Sequence, residues 1–145
     1  MRGACLPALR RYTELCGLVP DDLLARHAHV ALRGSSEALW AAKRSAASQL
    51  AASAILGHAL TVGDRSPARF ALHLFSSGGS APRFTALDFR PVYQPEGQLE
   101  PLEDVPFRLT RNVMTFLSPL LVDGVFASTM AATALAVKNN APTSL

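Results

Sequence analysis

Cysteine is scarce in this chain: of 145 residues only Cys5 and Cys16 carry a thiol, eleven positions apart and without a metal-ligand pattern around them. That excludes a disulfide-stapled secreted scaffold and a zinc module, and it suits free thiols in a reducing compartment, cytosolic or nuclear. The N-terminus has no basic segment followed by a sustained apolar run and a small-residue cleavage site, so it does not read as a secretory signal. Charge runs are missing too. The fourteen basic residues give a net charge of +3 and a pI near 9.3, but they are scattered, whereas a nucleic-acid face gathers them on one helix or patch. Scattered arginines are the mark of solvated helix faces. Ser45 to Val62 contains no charged residue, but it is dominated by Ala and Ser and interrupted by Gln49, Gly57 and His58. Its transfer energy is too modest for a membrane span, and a buried central helix explains the same composition.

Histidine offers no cluster either. His27 and His29 differ by two positions and cannot share a helix face, His58 and His73 lie in other elements, and no carboxylate or Cys stands with them at metal spacing. Each reads as an ordinary packed or surface residue, and Trp40 and the phenylalanines read as core, not as a nucleotide-stacking platform.

What is present is mostly helical periodicity. The spacing predicts a short helix over Leu6 to Leu18, broken at Gly17, then a second opened by Pro20-Asp21-Asp22. Asp21 or Asp22 is expected to accept from amides of the first turn, and Leu23, Leu24, His27 and Val30 or Ala31 to share one face. Gly34 breaks the pattern, Ser35 or Ser36 caps the next start, and Glu37 to about Leu60 forms a long Ala- and Leu-rich helix able to pack closely on several sides. Pro67 forbids its continuation. Phe70 to Phe75 and Arg83 to Phe89, around a Gly-containing turn, predict a hairpin. Pro91, Pro95, Pro101 and Pro106 exclude regular structure up to Phe107, in a segment made acidic by Glu96, Glu100, Glu103 and Asp104, which suits a fixed loop or a partner contact better than a grip on an acidic substrate. Thr110 to Leu117 and Ser128 to Val137 read as two final helices divided at Pro119 and Gly124.

Three motifs follow one another in this frame: Gly63-Asp64-Arg65-Ser66-Pro67, then Leu87-Asp88-Phe89, then Val105-Pro106-Phe107-Arg108-Leu109-Thr110-Arg111-Asn112. Their order resembles the C-lobe of the phosphatidylinositol 3-kinase-related superfamily, which runs Gly-Asp-Arg-His-x-x-Asn, a hairpin, Asp-Phe-Gly and Val-Pro-Phe-Arg-Leu-Thr. The resemblance aligns Asp64 with the catalytic aspartate and Asp88 with the metal-binding aspartate, and implies that the hairpin brings them together.

The working residues between these landmarks differ. Ser66 stands where the family has His, so the side chain expected to support the transferring phosphate is missing. Arg69 stands where the second metal ligand, an Asn, belongs; a guanidinium has five donors and no acceptor. At about 4 Å from a divalent ion it would be repelled by roughly 8 kcal/mol at an effective dielectric of about 20. Arg90 replaces the Gly of Asp-Phe-Gly and removes its backbone freedom. Phosphoryl transfer rests on few placed groups, and three departures in one site point to a remnant. Asp64 beside Arg65 then reads as a retained structural ion pair.

Together with Asn112-Val113-x-x-Phe116-Leu117 and Val122-Asp123-Gly124-Val125-Phe126, these departures resemble the transformation/transcription domain-associated protein family, very large scaffolds of histone acetyltransferase complexes that carry a pseudokinase domain. The likeness runs from Leu18-Val19-Pro20 through Leu39-Trp40-x-x-Lys43-Arg44 to about Lys138. It implies a mainly α fold with a small β-hairpin (α+β), the C-lobe of a phosphatidylinositol 3/4-kinase-like catalytic domain. A kinase-like fragment is expected over residues 1–138 and a polar tail over 139–145. No Gly-rich phosphate loop or partner Lys and Glu for ATP is found, so the chain reads as a fragment whose N-lobe is absent. The implied role is non-catalytic: vestigial positions Asp64, Ser66, Arg69, Asp88 and Arg90, no cofactor, no metal, no ATP, no membrane and no direct nucleic acid. The implied partners are acetyltransferase-complex subunits and transcription activators, in the nucleus. The alternative is a piece of an active serine/threonine protein kinase or lipid kinase of the superfamily, with Asp64 as base and Asp88 on the metal; a third is an unrelated helical module.

Overall fold

The computed structural model describes residues 5–60, 62, 69–74, 83–86, 109–119 and 122–140. The order is α1 (Cys5–Leu18), α2 (Leu23–Ala31), α3 (Ser36–Ala59), β1 (Phe70–His73), β2 (Arg83–Ala86), α4 (Arg111–Leu117), a π-helical turn (Val122–Phe126) and α5 (Ala127–Asn140). This is the mainly helical architecture with one small hairpin that the residue pattern implies.

α3 is the axis. Ser35 caps it, its hydroxyl accepting from the Ala38 amide at 3.3 Å, as expected for a small polar residue before the first turn. The helix buries Ala42, Ala46, Ala47, Leu50, Ala51, Ala54 and Gly57 and packs against α4, α5, the π-helical turn and β2. Six of the twelve buried apolar residues among the described ones are alanines, four of them from Ala42 to Ala51 on α3. With so little bulk on the axis, the space between elements is filled from the other side by Leu74, Phe116, Leu117 and Phe126. No single helix among the described residues is long and apolar enough to cross a membrane, and the uncharged stretch from Ser45 supplies six of the seven buried residues of α3, while its end, from His58 to Leu60, is exposed.

Several local expectations are corrected. Gly17 does not break α1, which runs on to Leu18; one glycine in the last turn costs only about 1 kcal/mol. In α2 the buried residue is Ala28, flanked by half-buried Leu24, Ala25, Ala31 and Leu32, while Leu23, His27 and Val30 are exposed. The true stripe is thus rotated from the one based on Leu23 and His27, because small Ala28 allows a closer approach than either. Trp40 is 47% exposed and is not core. Gly124 does not divide the last helices: it lies in the π-helical turn that continues into α5. α5 also takes in Asn139 and Asn140, the first two residues of the expected tail, with the Asn140 amide donating to the Ala136 carbonyl at 2.8 Å.

α2 ends with two residues at positive φ, Arg33 at 54° and Gly34 at 71°. The Gly34 amide donates to the His29 carbonyl at 2.9 Å and the Arg33 amide to the Val30 carbonyl at 3.0 Å. This is the crossed hydrogen-bond pattern that closes helix C-termini, with arginine in the left-handed position where glycine is the usual occupant. It turns the chain sharply into α3.

Candidate functional site

The hairpin frames the site. β1 and β2 run antiparallel with Phe70 opposite Ala86, Ala71 opposite Thr85, Leu72 opposite Phe84 and His73 opposite Arg83. Phe70 and Phe84 are diagonal neighbours on one face, and their rings stack with centroids 5.1 Å apart. Leu72 and Phe84 lean on the core and Leu74 enters it. The register puts Arg69, which immediately precedes β1, and Ala86, which ends β2, at the same end of the hairpin. The chain therefore enters β1 and leaves β2 at that end. Asp64, Ser66, Asp88 and Arg90 themselves, and the Asp64–Arg65 pair, lie outside the described residues. Of the five positions only Arg69 is described: it is half-buried and engaged with its surroundings.

One residue that sequence reasoning treated as a polar interruption holds this frame to the axis. The Gln49 carboxamide oxygen accepts the Phe84 amide at 2.6 Å, and its nitrogen donates to the Ser45 hydroxyl at 2.7 Å. A side chain on α3 therefore supplies a hydrogen bond that fixes β2 at Phe84, three positions before Leu87, where the Leu87-Asp88-Phe89 motif begins. Replacing Gln49 by Leu keeps the volume and leaves the Phe84 amide without an acceptor, a loss of about 1–3 kcal/mol. The expected result is a lowered thermal midpoint together with faster hydrogen exchange at Phe84; an unchanged Phe84 exchange rate would remove Gln49 from this role.

A second polar cluster sits where the long motif enters α4. Thr110 caps the helix, its hydroxyl accepting from the Val113 amide at 3.3 Å. Asn112 reaches back to α2: its oxygen accepts the Leu24 amide at 3.1 Å and its nitrogen donates to the Pro20 carbonyl at 3.1 Å. The expected capping of α2 by Asp21 or Asp22 does not occur. Asp22 makes no side-chain cap bond and instead accepts from Arg26 at 2.7 Å, while Asp21 pairs with Arg111 at 2.7 Å. The first turn of α2 thus receives its acceptor from a residue 88 positions away. One signal was available: an arginine at the first turn of α4 opposes the helix dipole, which points to a partner elsewhere.

At the C-terminal end of α4, Lys43 donates to the Ser118 carbonyl at 3.1 Å, and its ammonium lies 5.8 Å from the centre of the Phe116 ring. Burial holds this ammonium below the usual lysine range. All four histidines are exposed, and no group of three or more His, Cys, Asp or Glu side chains comes together among the described residues.

The model of the family described as phosphatidylinositol 3- and 4-kinase matches residues 20–145. The chain belongs to this family. The match takes in α2 through α5, with the hairpin and all three motifs, and begins after α1. No curated protein and no solved structure matches the chain. The chain therefore carries a phosphatidylinositol 3/4-kinase-type domain.

Proposed function

We propose that this domain is a pseudokinase: the kinase-like portion of a scaffold subunit of histone acetyltransferase complexes, acting in the nucleus by binding protein subunits and transcription activators and not by transferring phosphate. The observation that carries the reading is Arg69. The residue just ahead of β1, five positions after Asp64, is a cation with no lone pair to give a metal, in a family whose chemistry assembles around metal-bound phosphates. Ser66 and Arg90 add to it, since one removes a phosphate-supporting side chain and the other the glycine after Asp88-Phe89. The retention of Asp64 and Asp88 favours the second reading, an ATP-dependent protein or lipid kinase, and the two readings diverge in a single experiment.

In the parent protein, Asp64→Ala is expected to leave co-purification of acetyltransferase subunits unchanged and to abolish no ATP-dependent function. The check is a pull-down of wild type and variant with peptide mapping by mass spectrometry, beside a kinase assay of the same material. A phosphotransfer activity that disappears in Asp64→Ala would replace the scaffold by the kinase.

A further inference from the structure

α1 lies ahead of the family match and is built unlike the rest of the domain. Of its residues from Pro7 to Leu18 none is buried and only Cys16 is half-buried; Leu9, Tyr12, Leu15 and Leu18 are all more than half exposed. A helix of 14 residues with no buried residue from Pro7 to its end is marginal in water on its own propensity, so its seating must come from another source. Its C-terminal end supplies one. Arg111 donates through Nη2 to the Cys16 carbonyl at 2.9 Å and, more weakly, to the Val19 carbonyl at 3.4 Å, while Nη1 pairs with the Asp21 carboxylate at 2.7 Å. The guanidinium fork therefore holds the last turn of α1, the residue after it and the approach to α2 at once. A cation beside the terminal carbonyls also meets the negative end of the helix dipole. Tyr12 and Cys16, one turn apart, interact with each other, and the thiol raises the Tyr12 hydroxyl above its usual range; the charges of Arg111 and Asp21 are felt there too, in opposite directions, so the Tyr12 hydroxyl faces the same polar joint.

We propose that α1 is a strap seated on the domain by Arg111, detachable from the rest of the fold because its attachment is polar and terminal and not apolar and distributed. Arg111 thereby has a role that the motif running from Val105 to Asn112 does not assign: it is a positioning residue for the chain ahead of the family domain. Asn112, its neighbour, serves α2 and not α1, so the two residues have separable effects.

Hydrogen exchange on the full chain tests this. In Arg111→Ala the amides of Leu9 to Leu15 are expected to exchange faster by about tenfold or more, the loss of hydrogen bonds from a charged donor, with Ala46 to Ala51 of α3 unchanged. Arg111→Lys, a point charge in place of a fork, should fall between wild type and Arg111→Ala, and Asn112→Ala should expose α2 while sparing α1. Unchanged exchange in α1, or an equal acceleration in α3, would overturn the proposal. Should Arg111→Ala fail to fold, Asp21→Asn decides: a few-fold acceleration confined to α1 and its junction supports the strap, and none refutes it.

Discussion

Ala47→Glu is expected to leave the domain unfolded. Ala47 is fully buried in the middle of α3, with Ala46, Leu50 and Ala51 buried around it. The substitution adds four heavy atoms beyond a methyl where helices meet through alanines, and overpacking alone costs about 1–3 kcal/mol. It also buries a carboxylate with no partner, which costs several kcal/mol even after relaxation. Against a total stability of about 5–15 kcal/mol for an ordinary domain, the two terms together remove most or all of the margin. Ala41→Glu, six residues before Ala47 and exposed on the same helix, should stay within about 0.5 kcal/mol of wild type. Urea titrations followed by circular dichroism separate them: a cooperative transition near the wild-type midpoint for Ala47→Glu would show that the centre of α3 is not packed as described.

Phe116→Ala should cost about 3–5 kcal/mol. Phe116 is 1% exposed and, with Leu117, is the largest wholly buried side chain among the described residues. The alanines of α3 cannot move in to fill the space it would leave, since the side chains facing it have no length to rearrange. Lys43 adds to the loss. Its ammonium lies beside the Phe116 ring, and without that ring a partly desolvated cation keeps only the Ser118 carbonyl. A fall in thermal midpoint of about 10 °C or more is expected for a chain of this size. Met114→Ala, on the exposed side of the same short helix, should move it little. If both variants shift the midpoint equally, α4 does not face α3 through Phe116.

Local chemistry was legible in the sequence wherever a single segment decides the outcome. Ser35 at the start of α3 and the Gly-containing turn between two β-rich runs each carry their own signal, and the structure has the cap and the hairpin where those signals lie. The uncharged stretch of α3 from Ser45 was legible as largely buried because its composition fits no surface. What could not be read locally was which side of an element meets another. Leu23 and Val30 are larger and more apolar than Ala28, yet Ala28 is the buried one, since closeness of approach and not hydrophobicity sets that contact. Trp40, the bulkiest side chain of α3, is left exposed while the alanines of the same helix are buried. The hydrogen bonds from Gln49 to β2 and from Asn112 to α2 span 35 and 88 positions, and no window of sequence contains both partners. At the candidate site the departures at Ser66, Arg69 and Arg90 come from residue identity alone, and of these the structure describes Arg69, placed at the mouth of the hairpin.

The grip of Arg111 on the Cys16 and Val19 carbonyls bears on how the protein is cut for study. The family pattern starts at residue 20, and a boundary drawn there would keep every residue the pattern recognises while discarding both carbonyls. Asp21 would survive as the guanidinium's only remaining partner of the three. The recognisable domain and the piece that can be excised with its polar joints closed are thus not the same length, and the safer first residue lies upstream, ahead of α1.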